Sequence, residues 1–144
     1  MKRVRKFLSV IFLLFFSCSA FCQHINSDGF SITLKKFVQG QSSVVCGKQR
    51  PAYGGIFKVT SKNQCKGIYY FTLIYLDDKQ AVFTIKNKDN VLVNPMLVLN
   101  APSKSFQYIK NDIIVEEIFI DDNKPIQEQI LSGMLLWLKV KCKS

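Results

Sequence analysis

The stretch GIYYFTLIYLDDKQAVFTIK, Gly67–Lys86, decides the fold. Tyr69, Phe71, Leu73 and Tyr75 alternate with Ile68, Tyr70, Ile74 and Leu76, and only Thr72 interrupts two apolar faces. A period of two is the mark of a strand, and apolar residues on both sides suit a central strand or one with a face engaged by a partner. Asp77-Asp78-Lys79-Gln80 then turns the chain into Ala81–Lys86, where Ala81, Phe83 and Ile85 share a face. The two runs predict an antiparallel hairpin.

Outward from this hairpin the chain keeps the same grammar. Phe30, Ile32 and Leu34 alternate with polar neighbours until Gly40, and Ile56–Thr60 reads as another strand. Short runs at Ser43–Cys46, Val91–Val93, Met96–Leu99, Phe106–Tyr108 and Ile113–Ile120 follow between turns rich in Asn, Asp and Pro. Pro125 as a first helical residue and Gly133 as a stop predict one short helix, Pro125–Ser132. Leu136, Leu138, Val140 and Cys142 alternate with Trp137, Lys139, Lys141 and Lys143, which reads as a last strand with Cys142 turned inward. About eight short strands and at most one short helix predict an all-β chain. The expected form is an antiparallel β-sandwich, an immunoglobulin-like arrangement being one version, with a small β-barrel as the alternative.

The N-terminus carries a different message. Lys2, Arg3, Arg5 and Lys6 precede the apolar run Phe7–Phe16, which thins into Ser17-Cys18-Ser19-Ala20-Phe21-Cys22. A basic segment, a short apolar core and small residues near its end are the signature of a secretory signal peptide. Cleavage after Cys22, or after Ala20, is the reading preferred here. The apolar run is short for a bilayer span of about 20 residues. A retained anchor, or acylation at Cys18 or Cys22, is the other reading and the only one that leaves the chain on a membrane. Residues 1–22 are therefore taken as leader and 23–144 as one exported β-rich domain, in the periplasm, outside the cell or on the envelope.

Of the 144 residues, 122 remain after the leader, carrying sixteen Lys/Arg against ten Asp/Glu. Fifteen of the sixteen are lysine and Arg50 is the single arginine. Nucleic-acid readers favour arginine for its bidentate fork, so a nucleic-acid partner is not expected. Three cysteines follow the leader, Cys46, Cys65 and Cys142. In an oxidising compartment an odd count implies one bridge and a spare thiol, or an intermolecular bridge. The turn at Tyr53-Gly54-Gly55 favours Cys46–Cys65, leaving Cys142 either buried or reactive.

Catalytic groups are scarce. His24 is the single histidine and sits beside the new N-terminus, a poor place for a general base. No CxxC, glycine-rich phosphate loop or HExxH occurs, and neither a metal site nor a cofactor is expected. The carboxylate pairs Asp77/Asp78, Glu116/Glu117 and Asp121/Asp122 read as turn and edge chemistry. A raised pKa on Glu117 is the alternative.

Two surfaces are candidates for binding. Lys48, Arg50 and Tyr53 lie in a loop beside Cys46, and Arg and Tyr are the residues that dominate interface hot spots. Trp137, Lys139 and Lys141 form an aromatic-basic stripe on the outside of the last strand. The expectation is a non-enzymatic exported binding module of the envelope-component, inhibitor or immunity-protein kind, with a protein or an anionic envelope polymer as partner. The alternatives are a small exported enzyme using a carboxylate or thiol, and an assembly subunit exchanging strands with another chain.

Overall fold

The computed structural model describes residues 24–27, 29–42, 48–61 and 65–142. The expected leader Met1–Cys22 and the cysteine Cys46 lie outside the described residues, as does the short strand expected over Ser43–Cys46. Among the described residues there are eight strands: β1 (His24–Ser27), β2 (Phe30–Ser42), β3 (Arg50–Thr60), β4 (Gly67–Tyr75), β5 (Gln80–Asn87), β6 (Leu97–Asn100), β7 (Ser105–Lys110) and β8 (Ile113–Phe119). One helix, α1 (Ile126–Lys141), follows them.

The strands form a single sheet in sequence order, every ladder antiparallel. The all-β antiparallel architecture expected from the sequence is the one adopted. The sheet is not closed into a barrel, since no ladder joins β1 to β8. Two layers enclose the core, as in a sandwich, but the second layer is α1, which touches β2 at one side and β6, β7 and β8 at the other. The sheet therefore curls around the helix. Among the described residues no immunoglobulin-like crossing connection occurs, because each strand pairs with its neighbours in the chain.

The predicted hairpin is β4–β5, with Tyr75 opposite Ala81 and Tyr69 opposite Asn87. Its turn is held by Asp77, whose Oδ1 accepts the backbone N–H of Lys79 and of Gln80, each at 2.7 Å. Across the concave face runs a diagonal of rings from β3, β4, β5 and β7. Phe57 meets Phe71 at 4.7 Å between centroids, Phe71 meets Phe83 at 5.9 Å, and Phe83 meets Phe106 at 5.5 Å. All four are buried, and burying each ring contributes about 2–3 kcal/mol.

The C-terminal segment departs from expectation. The short helix and final strand are one helix of 16 residues that runs through Gly133. Leu136, Leu138 and Cys142 alternate by two, yet Ile130, Met134, Leu138 and Cys142 also recur every four residues, and all are buried. A Leu- and Met-rich run with few β-branched residues prefers the helix when both periods fit. Gly133 does not stop the helix because it is a contact point. A Cβ there would stand 3.0 Å from the Phe106 ring and 3.2 Å from the Phe83 ring. The helix lies close on the sheet because this residue has no side chain.

The disulfide also differs. Cys65, in the β3–β4 connection, bonds Cys142 at the end of α1, with their Cα atoms 5.9 Å apart. The expected Cys46–Cys65 pairing is thus replaced by a bridge 77 residues long in sequence. The cysteines chosen are those the helix brings together, not those nearest in the chain. Closing a loop of that length stabilises by about 4.5 kcal/mol in the chain-entropy account.

Two stability predictions follow from these contacts. Gly55 lies opposite the β2 bulge, and a Cβ there would collide with the Lys36 carbonyl and the Phe71 ring. Gly55→Ala is expected to lower urea-unfolding stability by about 2–3 kcal/mol, whereas Gly40→Ala, with nothing within 4 Å, stays within about 0.5 kcal/mol. Cys142→Ser and Cys65→Ser are each expected to cost about 3–5 kcal/mol, and the double variant no more than either alone, because one bond is lost in all three.

Candidate functional site

In a strand, neighbours project to opposite faces, so the core residues fix which positions look outward. With Phe57, Phe71 and Ile85 buried inward, Ile56, Tyr70 and Lys86 lie on the convex face. The ladders line them up. Lys36 pairs with Ile56, Ile56 with Tyr70, and Tyr70 with Lys86. Strand spacing sets the two ends of this row roughly 14 Å apart. The next row holds Lys58 paired with Ile68. Tyr70 is 46% exposed and Ile68 39%. Beside them Tyr70, Asn87, Lys88 and Asn90 line a shallow hollow of about 230 Å³.

The electrostatics of this face are one-sided. Strands β1 to β7 contain no aspartate or glutamate, and within the sheet only β8 has any, Glu116 and Glu117. Among the described residues the ion pairs are Arg50–Asp78 at 3.0 Å, Lys104–Asp122 at 2.6 Å and Lys139–Glu116 at 2.8 Å. Lys36, Lys58, Lys86 and Lys88 carry their charges without a carboxylate partner there. An exposed tyrosine and isoleucine framed by ammonium groups give a surface with apolar area at its centre and positive potential around it.

The residues singled out from sequence fall elsewhere. Lys48 is exposed and lies just before β3, whereas Arg50 and Tyr53 belong to the strand itself and not to a loop. Three residues apart on a strand, they project to opposite faces. Arg50 is drawn to Asp78 at the β4–β5 turn. Tyr53 lies on the concave side, stacked on Phe37 at 5.8 Å and edge-on to Tyr75 at 6.4 Å. Burial raises the Tyr75 pKa, and the neighbouring Tyr53 adds to the effect. The sequence pair is therefore not one surface.

The C-terminal stripe dissolves for the same kind of reason. On a helix Trp137 turns inward, 2% exposed, with its ring edge-on to Tyr69 at 4.7 Å and its Nε1–H donated to the Val93 carbonyl at 3.2 Å. Lys139 and Lys141 stay exposed, and Lys139 is tied to Glu116. Cys142 is bonded to Cys65, which removes it as a reactive thiol.

The remaining titratable groups have local work. His24 pairs opposite Thr33 in β1, with Nδ1 2.8 Å from the Thr33 hydroxyl and Nε2 3.2 Å from that of Ser31. Glu117 accepts hydrogen bonds from Ser105 and from Gln107, both at 2.7 Å, and Ser105 and Gln107 are buried. Asp121 accepts the backbone N–H of Asn123 at 3.0 Å. Among the described residues no cluster of three or more His, Cys, Asp or Glu side chains could hold a metal ion.

The lysine-framed face was missed because its members come from four separate strands. The signal available was the outer alternation of β4, Ile68 and Tyr70, which the core does not need. No family model matches this chain, and neither a curated protein nor a solved structure matches it.

Asp77 gives the pH prediction. Its pKa is held below 3.8 chiefly by the backbone N–H groups of Lys79 and Gln80, and that of Asp122 chiefly by its hydrogen bond with Lys104. A depressed carboxylate pKa contributes stability above the unfolded value and loses it as pH falls through the folded one. Thermal melts are therefore expected to show a decline in stability below about pH 4. Asp77→Asn/Asp122→Asn, which cannot ionise at either position, is expected to flatten that decline.

Proposed function

We propose that this chain is a non-enzymatic exported binding module that docks an anionic partner, an acidic protein or a charged envelope polymer, on the convex face centred on Tyr70. The observation that carries this reading is the apolar pair Ile68 and Tyr70 exposed among Lys36, Lys58 and Lys86, on strands without an acidic residue, with Lys88 in the turn that follows β5. Apolar side chains held at the surface of a lysine-rich face supply contact area. The unpaired ammonium groups supply long-range attraction and set the sign of the partner. Export is supported by the leader-like Met1–Cys22 sequence, and the Cys65–Cys142 disulfide is of a kind that persists in an oxidising compartment.

Binding to dextran sulfate, and capture of proteins from an envelope extract, test the reading together. The wild type is expected to bind at low salt and to weaken steeply as salt is raised past about 0.15 M. Lys36→Glu/Lys58→Glu/Lys86→Glu is expected to lose at least about ten-fold in affinity, and Tyr70→Ala about ten-fold with the salt dependence retained. Unchanged binding in both variants, or a wild type that retains neither the polymer nor any protein, refutes it.

A further inference from the structure

We propose that the hollow beside Tyr70 seats one sugar ring of an acidic polysaccharide, whose chain runs on over the lysines of the convex face. This rests on the reading of that face as a docking surface for an anion, and it names the partner. Tyr70, Asn87, Lys88 and Asn90 line the hollow, whose volume is about 230 Å³. Pockets for drug-sized ligands run to about 300–1,000 Å³, so this one suits a single small ring of a longer chain.

The lining matches the two kinds of surface a sugar ring has, an apolar C–H face and a rim of hydroxyls. The Tyr70 ring, 46% exposed, offers a flat apolar platform with a hydroxyl at its edge. Asn87 and Asn90 offer carboxamides, which carry donors and an acceptor in one plane. The Asn87 Oδ1 already accepts the backbone N–H groups of Asp89 and Val91, each at 3.0 Å, so its remaining capacity is the Nδ2 donor. Asn90 stands at φ 63° and gives its backbone N–H to the Asn87 carbonyl at 3.0 Å. Lys88 has no ion pair among the described residues and adds an ammonium group. Asp89, the carboxylate of the same turn, is exposed and is not part of the lining.

Charge spacing argues for a polymer. Lys86 and Lys36 lie at the two ends of one ladder row across four strands, with Tyr70 and Ile56 between them. At roughly 14 Å the row is longer than the screening length of about 8 Å at physiological salt. One compact anion such as phosphate cannot neutralise both ends. A chain with an anionic group on successive rings can, and its path from the hollow to Lys36 passes over Tyr70 and Ile56. An acidic protein would meet the lysines equally well, but it gives no role to two carboxamides and a ring around a hollow of this size.

Calorimetric titration with polygalacturonate and with poly-L-glutamate, matched in length and ionic strength, separates the two partners. The wild type is expected to bind polygalacturonate at least about ten-fold tighter. Tyr70→Leu keeps apolar area and removes the ring, whereas Asn90→Gly keeps the left-handed backbone and removes the carboxamide. Each is expected to weaken polygalacturonate binding about five-fold and to leave poly-L-glutamate binding within about two-fold. Equal affinity for the two polymers, or tighter binding of poly-L-glutamate, overturns the sugar seat and leaves the anion-docking face standing. Variants that weaken both polymers alike, or neither, also overturn it. A wild type that binds neither polymer removes the docking reading and this inference with it.

Discussion

Burial of α1 in the concavity of the sheet is the contact on which the rest depends. A meander of eight strands in sequence order has no internal reason to curl so far. The helix supplies it by touching β2 at one side and β6–β8 at the other. The approach is close because Gly133 sits against Phe83 and Phe106, and it is locked at the far end where Cys142 meets Cys65. The core is therefore assembled last in chain order. The final 16-residue element closes a surface built by the preceding eight, and those contacts are long-range in sequence.

The disulfide and the Trp137 contacts form one corner. Tyr69 donates its hydroxyl to the Cys65 carbonyl at 2.9 Å while its ring meets Trp137, and Trp137 reaches across to Val93. Three separate connections, β3–β4, β5–β6 and the helix end, are tied there without a charged group. Desolvation by burial raises the Tyr69 pKa, which keeps the phenol neutral and suited to donate. The corner holds the helix terminus, where fraying would otherwise begin.

Much of the sheet was legible in the sequence because period two is read residue by residue. Gly67–Lys86 reads as an antiparallel hairpin, which β4 and β5 form, and the run Ile113–Ile120, dense in β-branched residues, holds β8. Leu136–Cys142 failed because a short run of alternating apolar residues also satisfies a period near four, and the spacing alone does not choose between them. The Leu- and Met-rich composition and the packing around Gly133 favour the helix. β1 lay in a segment too short and polar to signal itself. The candidate sites suffered most. Arg50 and Tyr53 are neighbours in sequence and part company once a strand separates alternate residues, whereas Lys36, Tyr70 and Lys86 are far apart and become neighbours through ladder register.

The two faces of β4 state the functional argument in miniature. Its inward residues, Tyr69, Phe71 and Leu73, are buried in the core, and any change there is felt as lost packing. Its outward residues, Ile68, Tyr70 and Ile74, are apolar without being needed for the fold, since polar side chains on a solvent face would serve the sheet as well. Lysines at Lys36, Lys58 and Lys86 keep such a face soluble and discourage stray contacts, a role that charge of either sign would fill. Solubility alone would be met by mixed signs. The confinement of every described carboxylate to turns, β8 and α1 leaves a field of one sign over the convex face, and a field of one sign selects a partner of the other.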